Sequence, residues 1–173
     1  RKGIRTNDRS LICAIGGGSV ELIYCSHSAL IKAQSFEVGV IKLFKLRKTN
    51  DPFSQEDIDF YWDYLDSYFG KFIQDLDTEY LVGAAGSFES LYTLKTNEEY
   101  TGKFEDIDMS DLKTVIDRII KSSQAERDEN QLIPFERKIL LPLGAILVKY
   151  LINNLEINKF TVSPNSLIEG LDL

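Results

Sequence analysis

The sequence predicts one α/β domain built on a mixed five-stranded sheet, in which an antiparallel three-strand meander is followed by parallel strands, with helices on the sheet. Three short apolar segments follow one another near the start of the chain, and strand-like segments alternate with helix-like segments after them. Strands joined by tight turns pair antiparallel, whereas strands separated by helices pair parallel. A length of 173 residues fits a single domain.

The meander is predicted from strands at 11–15, 20–25 and 29–38, which are rich in aliphatic and β-branched residues. The first two strands are joined by Gly16 to Ser19, and the glycines are expected to supply the positive φ of a tight hairpin turn. A helix follows from about Gly39.

A long helix is predicted from Ser54 to about Gln74. Its start, Ser54-Gln55-Glu56-Asp57, has the pattern of a capping box. Apolar residues then recur at helical spacing: Ile58, Tyr61, Trp62, Leu65, Phe69 and Phe72. This period indicates that the aromatic side chains pack on the sheet.

The second half of the chain alternates strands at 80–83 and 159–162 with helices. Two helices are expected to have Ser87 and Ser110 as N-caps, and a polar connection is expected at 126–131. A further helix is predicted at 134–153, with Ile139, Leu143, Ile146, Leu147 and Tyr150 on its buried face. Because Pro142 lacks an N–H group, it is expected to kink that helix. A final helix is expected from about Pro164.

The segment Gly16 to Ser19 is also the leading candidate site. Without Cβ atoms, the backbone N–H groups of Gly17, Gly18 and Ser19 can converge on an anion, and the Ser19 hydroxyl adds a donor. Glu21 lies two residues along the strand, on the same face as Ser19. An acid beside bound phosphate requires a divalent cation or an activated water between them. The alternative is a structural hairpin that binds nothing.

The run Ile15-Gly16-Gly17-Gly18-Ser19-Val20-Glu21 resembles the Asp-Ile-Gly-Gly-Gly-Ser-Thr-Glu signature of the exopolyphosphatase/guanosine pentaphosphate phosphohydrolase (Ppx/GppA phosphatase) family, a branch of the actin-like ATPases. Segments 35–43, 51–54, 82–87 and 160–170 resemble further family motifs in the same order. The resemblance extends over nearly the whole chain. It implies a ribonuclease H-like, actin-like domain spanning 1–173, expected to be the C-terminal half of a longer two-domain protein.

The resemblance also implies the chemistry of the site. Phosphate is expected to bind at Gly16, Gly17, Gly18 and Ser19, and at a second loop through Gly83, Gly86 and Ser87. Glu21 is expected to act as the catalytic carboxylate, holding Mg²⁺ or the attacking water. The substrate would be polyphosphate or guanosine pentaphosphate, and the missing N-terminal domain would supply the general base.

Four features of the sequence depart from the family pattern. Ala14 replaces the signature Asp, and the second loop carries two alanines where the family favours glycine. Ile139 replaces the Asp of an Arg-x-Asp motif that begins at Arg137, and Ile168 replaces an Arg before Glu-Gly. The departures predict weakened catalysis by an exopolyphosphatase-like enzyme. The alternative hypothesis is a non-catalytic relative that binds phosphate or nucleotide or regulates a partner. A third hypothesis is that the chain is half of an actin-like sugar or acetate kinase, which the position of Glu21 and the closing segment disfavour.

The composition and charge limit the classes of partner that are expected. The net charge is -7, and Lys and Arg concentrate only at 42–48, which argues against nucleic acid as the main partner. That run is interpreted either as a solvated helix face or as a path for a polyanion.

Cys13 and Cys25 are interpreted as reduced core residues, so a cytoplasmic location is expected. His27 is interpreted as a surface residue. No apolar run approaches membrane-spanning length. A homodimer is kept as an open alternative.

Overall fold

The computed structural model describes residues 9–26 and 29–164. His27, Ile168 and the final helix expected after Pro164 lie outside the described residues. Among the described residues, no helix is both long enough and apolar enough to cross a membrane.

The sheet is mixed, as predicted, but it has six strands rather than five. The strands are β1 Arg9–Ile15, β2 Val20–Ser26, β3 Ala29–Phe36, β4 Tyr80–Ala84, β5 Glu105–Ile107 and β6 Lys159–Ser163, in the order β3-β2-β1-β4-β6-β5. The meander β1-β2-β3 is antiparallel, β1, β4 and β6 are parallel neighbours, and β5 pairs antiparallel with β6. The sixth strand, β5, has three residues, too few for an alternating pattern to be recognised in the sequence.

The helices are α1 Val40–Leu46, α2 Gln55–Ile73, α3 Gly86–Thr96, α4 Met109–Lys121, α5 Gln124–Glu129 and α6 Leu141–Leu155, with a 3₁₀ turn at Phe135–Arg137. The capping box before α2 is confirmed: Asp57 N–H donates to Ser54 Oγ at 3.1 Å, and Ser54 N–H donates to Asp57 Oδ2 at 3.0 Å. Tyr61, Leu65 and Phe69 of α2 are fully buried, so the predicted packing of its apolar face is also confirmed.

Several predicted helix starts were wrong. The N-cap of α4 is Asp108, which accepts from the N–H of Ser110, and the N-cap of α3 is Ala85 rather than Ser87. Part of the expected polar connection forms α5, which has its own capping box from Ser123 to Glu126. At α4, Asp108 and Ser110 are both short side chains able to cap, so sequence alone did not distinguish between them, whereas α3 begins without a side-chain cap.

The helix predicted at 134–153 begins only at Leu141. Pro142 therefore lies in its first turn, where a missing N–H leaves no hydrogen bond unmade, and the expected kink does not follow. Ile139 lies before the helix and is 51 % exposed, so it is not a core residue.

The main core lies between the sheet and α2, α3, α4 and α6. Its largest fully buried side chains are Tyr61, Tyr150, Phe69, Phe88 and Phe160. The packed helices hold the carboxyl ends of β1 and β4 in place, and the candidate site lies there.

Candidate functional site

The first glycine loop joins β1 to β2. Gly16 N–H donates to Ser19 O at 2.9 Å and closes the turn. Among the described residues, the N–H groups of Gly17, Gly18 and Ser19 have no hydrogen-bond acceptor. Gly18 is exposed, and no atom lies within 4 Å of the position that a Cβ would take. The loop therefore presents three adjacent unused donors.

The sequence predicted that the glycines of this loop supply a positive φ, and that prediction was wrong. The only described glycine with a positive φ is Gly102. Close approach of another group accounts for Gly17, since its Cβ would lie 2.7 Å from the Ile41 side chain, but not for Gly18.

The start of α1 supports the loop from behind. Val40 N–H donates to Gly16 O at 3.1 Å, and Ile41 N–H donates to Gly17 O at 2.9 Å. A Cβ on Gly39 would lie 2.2 Å from the carbonyl carbon and oxygen of Gly17. Sequence reasoning did not identify this role of Gly39, because the contact joins segments more than twenty residues apart.

Glu21 lies on β2 with Ala14 of β1 opposite on one side and Ser35 of β3 opposite on the other. Its Oε1 accepts from Ser19 Oγ at 2.7 Å and from Ser35 Oγ at 3.0 Å. The predicted shared face of Ser19 and Glu21 is confirmed. However, the Ser19 hydroxyl donates to Glu21 in this structure, so the backbone N–H is the donor of Ser19 that is unused among the described residues.

Ala14 places a methyl group next to Glu21, where the family signature has a second carboxylate. Among the residues that the structure describes, no group of three or more His, Cys, Asp or Glu side chains is arranged to hold a metal. Cys13 offers no substitute, because burial, assisted by the charge of Glu21, raises the pKa of its thiol and keeps it protonated.

The second glycine loop joins β4 to α3. Since Ala14 and Ala84 are paired at the ends of the adjacent parallel strands β1 and β4, both loops emerge at the same edge of the sheet. Ala85 has φ 74° and ψ −180°, a conformation that strains any residue except glycine. This is the physical consequence of an alanine where the family favours glycine.

Side chains fill the space around the glycines of this loop. A Cβ on Gly83 would lie 2.2 Å from the Phe88 ring, and a Cβ on Gly86 would lie 2.4 Å from the guanidinium of Arg137. Ser87 packs against α6, since a Cβ on Gly144 would lie 2.5 Å from Ser87 Oγ. The predicted phosphate-binding residues Gly83, Gly86 and Ser87 are thus tightly packed by neighbouring elements.

Arg137 brings a positive charge to the start of α3. Its Nη1 donates to Ser90 Oγ at 3.2 Å, and its Nη2 lies 3.7 Å from Glu89 Oε2. The side chain is about one-third exposed and lines a cavity of about 370 Å³ together with Glu89 and Tyr100. The Arg-x-Asp resemblance was the only sequence signal for this placement.

The basic run at 42–48 is not a uniform face. Arg47 Nη2 lies 3.3 Å from Asp57 Oδ1, and its guanidinium lies 4.8 Å from the Phe60 ring, so this cation ties α1 to α2. Burial raises the pKa of the fully buried Asp57, but hydrogen bonds from Ser54 and Asn50 outweigh it and hold that pKa below its usual value. The end of α1 is therefore anchored to α2 while its start supports the first loop.

Comparisons with solved structures agree with this fold. An exopolyphosphatase from Cytophaga hutchinsonii matches with a TM-score of 0.83 at 23% identity, over 92% of this chain and 54% of that one. A PPX-GPPA enzyme from Aquifex aeolicus matches with a TM-score of 0.80 at 18% identity, over 90% of this chain and 53% of that one. The chain thus spans about half the length of these structures.

A search of curated proteins gives no match. The model of the Ppx/GppA phosphatase family, in contrast, matches residues 2–173. The chain therefore belongs to the Ppx/GppA phosphatase family.

Proposed function

We propose that this chain is the phosphate-binding half of an exopolyphosphatase-like phosphohydrolase that acts on terminal phosphoanhydrides of polyphosphate or guanosine pentaphosphate. The observation that carries the proposal is the set of unused N–H donors of Gly17, Gly18 and Ser19 beside the carboxylate of Glu21. Unused donors at adjacent residues can together bind an anion without any side chain.

In this proposal the terminal phosphoryl group binds the first loop, and the next phosphates extend toward Arg137 at the second loop. Phosphoryl transfer depends mainly on positioning and on neutralising charge rather than on a covalent nucleophile. The fixed amides stabilise the oxygens on which negative charge accumulates, and the guanidinium of Arg137 offsets the charge of the departing chain.

The donor set fits Mg²⁺ bound jointly with substrate. Mg²⁺ commonly uses one or two protein carboxylates, substrate phosphate oxygens and waters. Glu21 supplies one carboxylate, and its Oε2 accepts no hydrogen bond among the described residues. When bound, the ion would neutralise phosphate charge. Because Ala14 provides no second carboxylate, Glu21 and the substrate would carry most of the coordination.

The remaining half of the site is proposed to lie on a missing N-terminal domain of the same protein, which would supply the general base. The chain spans about half of its solved relatives, which leaves room for such a domain. Exposed apolar side chains lie on α1 and in or near the 3₁₀ turn: Ile41, Phe44, Phe135 and Ile139. We propose that the other domain covers them. The free thiols of Cys13 and Cys25 fit a reducing compartment such as the cytoplasm.

The alternative function is a non-catalytic relative that binds phosphate, and Ala14 is the observation that favours it. The test is phosphate release from long-chain polyphosphate with Mg²⁺ by the full-length protein, comparing wild type with Ala14→Asp and Glu21→Gln. We expect slow release by wild type, faster release by Ala14→Asp, and at least about a tenfold loss in Glu21→Gln. Absence of release from both wild type and Ala14→Asp, with a rise in melting temperature on adding polyphosphate, would establish the binding function instead.

A further inference from the structure

We propose that Ser35 is a positioning residue of this site: its hydroxyl, together with that of Ser19, fixes Oε1 of Glu21 and so reserves Oε2 for the bound metal ion or the attacking water. The inference rests on the proposed function and adds to it a residue outside the glycine signature.

The geometry is specific. Ser35 lies on the edge strand β3, directly across the ladder from Glu21. Its Oγ donates to Glu21 Oε1 at 3.0 Å, and Ser19 Oγ donates to the same oxygen at 2.7 Å. The two donors belong to separate segments, one in the first loop and one on a neighbouring strand. Because both hydroxyls donate to Oε1, that oxygen already accepts two hydrogen bonds, whereas Oε2 lacks a partner among the described residues.

Of the two strands that flank β2, only β3 offers Glu21 a hydrogen bond that helps to orient its carboxylate. On the β1 side the cross-strand neighbour is Ala14, whose methyl group makes no hydrogen bond. A glutamate side chain has several rotatable bonds, so an unrestrained carboxylate would present either oxygen, in several directions. Two hydroxyl donors remove much of that freedom before any ligand binds, which is the usual role of groups that support a metal ligand.

Ser35 matters most when phosphate is bound. The Ser19 hydroxyl adjoins the proposed phosphate position and is able to turn toward a phosphate oxygen, since a hydroxyl rotates to suit its acceptor. Ser35 would then be the remaining donor to Oε1. Loss of the Ser35 hydroxyl is therefore expected to affect the complex more than the free protein.

The test is a double-mutant cycle in the full-length protein, with Ser35→Ala, Glu21→Gln and the combined variant. We expect Ser35→Ala to raise the Mg²⁺ concentration for half-maximal activity and to lower kcat, each by roughly three- to tenfold, the effect of losing one hydrogen bond. The KM for polyphosphate should change little, because the phosphate contacts remain. Ser35→Thr keeps the hydroxyl and should restore wild-type values. Gln34→Ala, a neighbouring exposed change on β3, is the matched control and should behave as wild type.

A second readout is independent of turnover: the additional rise in melting temperature that Mg²⁺ gives in the presence of tripolyphosphate. It should shrink in Ser35→Ala and recover in Ser35→Thr. An active wild type with an indistinguishable Ser35→Ala variant overturns the role of Ser35 alone. So does an equal loss from Ser35→Ala in the Glu21→Gln background, because Ser35 would then act independently of Glu21. A wild type that neither releases phosphate nor gains stability from these ligands overturns the proposed function and this inference together.

Discussion

The two glycine loops emerge at one edge of the sheet but use their glycines differently. At the first loop the position that a Cβ would take on Gly18 is open, and three backbone N–H groups are unused among the described residues. At the second loop the corresponding spaces of Gly83 and Gly86 are filled by the Phe88 ring and the Arg137 guanidinium. The first loop therefore leaves open space at Gly18, whereas the glycines of the second loop make room for side chains, although the sequence predicts both as phosphate loops.

The loops also differ in how they are supported. The first is held by backbone contacts from Gly39 and by hydrogen bonds from Val40 and Ile41, which engage its carbonyls and leave its amides free. The second contains the strained Ala85, is packed by the side chains of Phe88 and Arg137, and places Ser87 against Gly144 of α6. Substitutions in the backbone contacts that support the first loop should thus affect ligand binding and stability together, whereas substitutions around the second loop should separate the two.

The largest effect is expected for Gly39→Ala. Its Cβ would lie 2.2 Å from the backbone of Gly17, and neither segment has a flexible end that can move aside. We expect a loss of about 3 kcal/mol or more in the free energy of unfolding, together with loss of tripolyphosphate binding. Urea unfolding and calorimetric titration measure both. The control, Gly18→Ala, should cost less than about 1 kcal/mol, and a similar loss from both variants would contradict the backbone-support model.

Asp57→Asn should have the next largest effect, because Asp57 anchors the far end of the helix that supports the first loop. Its Oδ2 accepts from Ser54 and Asn50, and its Oδ1 lies near Arg47. Removing one partner of a buried ion pair commonly costs about 3 kcal/mol, and somewhat less is expected here because Asn still accepts hydrogen bonds.

The same residue predicts a pH dependence. Since the folded pKa of Asp57 is lowered from 3.8, its contribution to stability is fully present above the unfolded pKa and is lost as the pH falls through the folded value. Unfolding free energies measured from pH 6 down to pH 2 should therefore decline less steeply below pH 4 in Asp57→Asn than in wild type. Parallel curves would show that Asp57 is not ionised and paired as described.

Sequence reasoning succeeded where the deciding signal is local. The α2 helix was predicted because its capping box and apolar period lie within one segment, and the face shared by Ser19 and Glu21 follows from the two-residue repeat of a strand. It failed where the signal is tertiary or short. The roles of Gly39 and Arg137 depend on contacts with distant segments, β5 is too short for a pattern, and the start of α6 was misjudged because Pro142 was interpreted as an interior residue.

Ala85→Gly should act in the opposite direction and stabilise the protein. Holding an alanine at a φ of 74° costs about 1–3 kcal/mol, and glycine would relieve that strain. Because glycine loses more conformational entropy on folding, about 0.5–1 kcal/mol of this gain is offset. A net gain of about 1 kcal/mol is expected, seen as a higher melting temperature. The adjacent Ala84→Gly, in a buried strand without such strain, should destabilise the protein. A loss in both variants would show that Ala85 is not strained.

Arg137→Met should change stability least and separate the two loops most clearly. The side chain is partly exposed and its contact with Glu89 is long, so less than about 1 kcal/mol of stability is at stake. If the second loop binds the continuing polyphosphate chain, removing this charge weakens binding of long polyphosphate several-fold and leaves pyrophosphate bound at the first loop nearly unaffected. Titrations with both ligands, alongside the exposed neighbour Glu136→Ala, measure this. An equal loss for both ligands would mean that Arg137 acts on the first loop, and no loss for either would leave the second loop as packing alone.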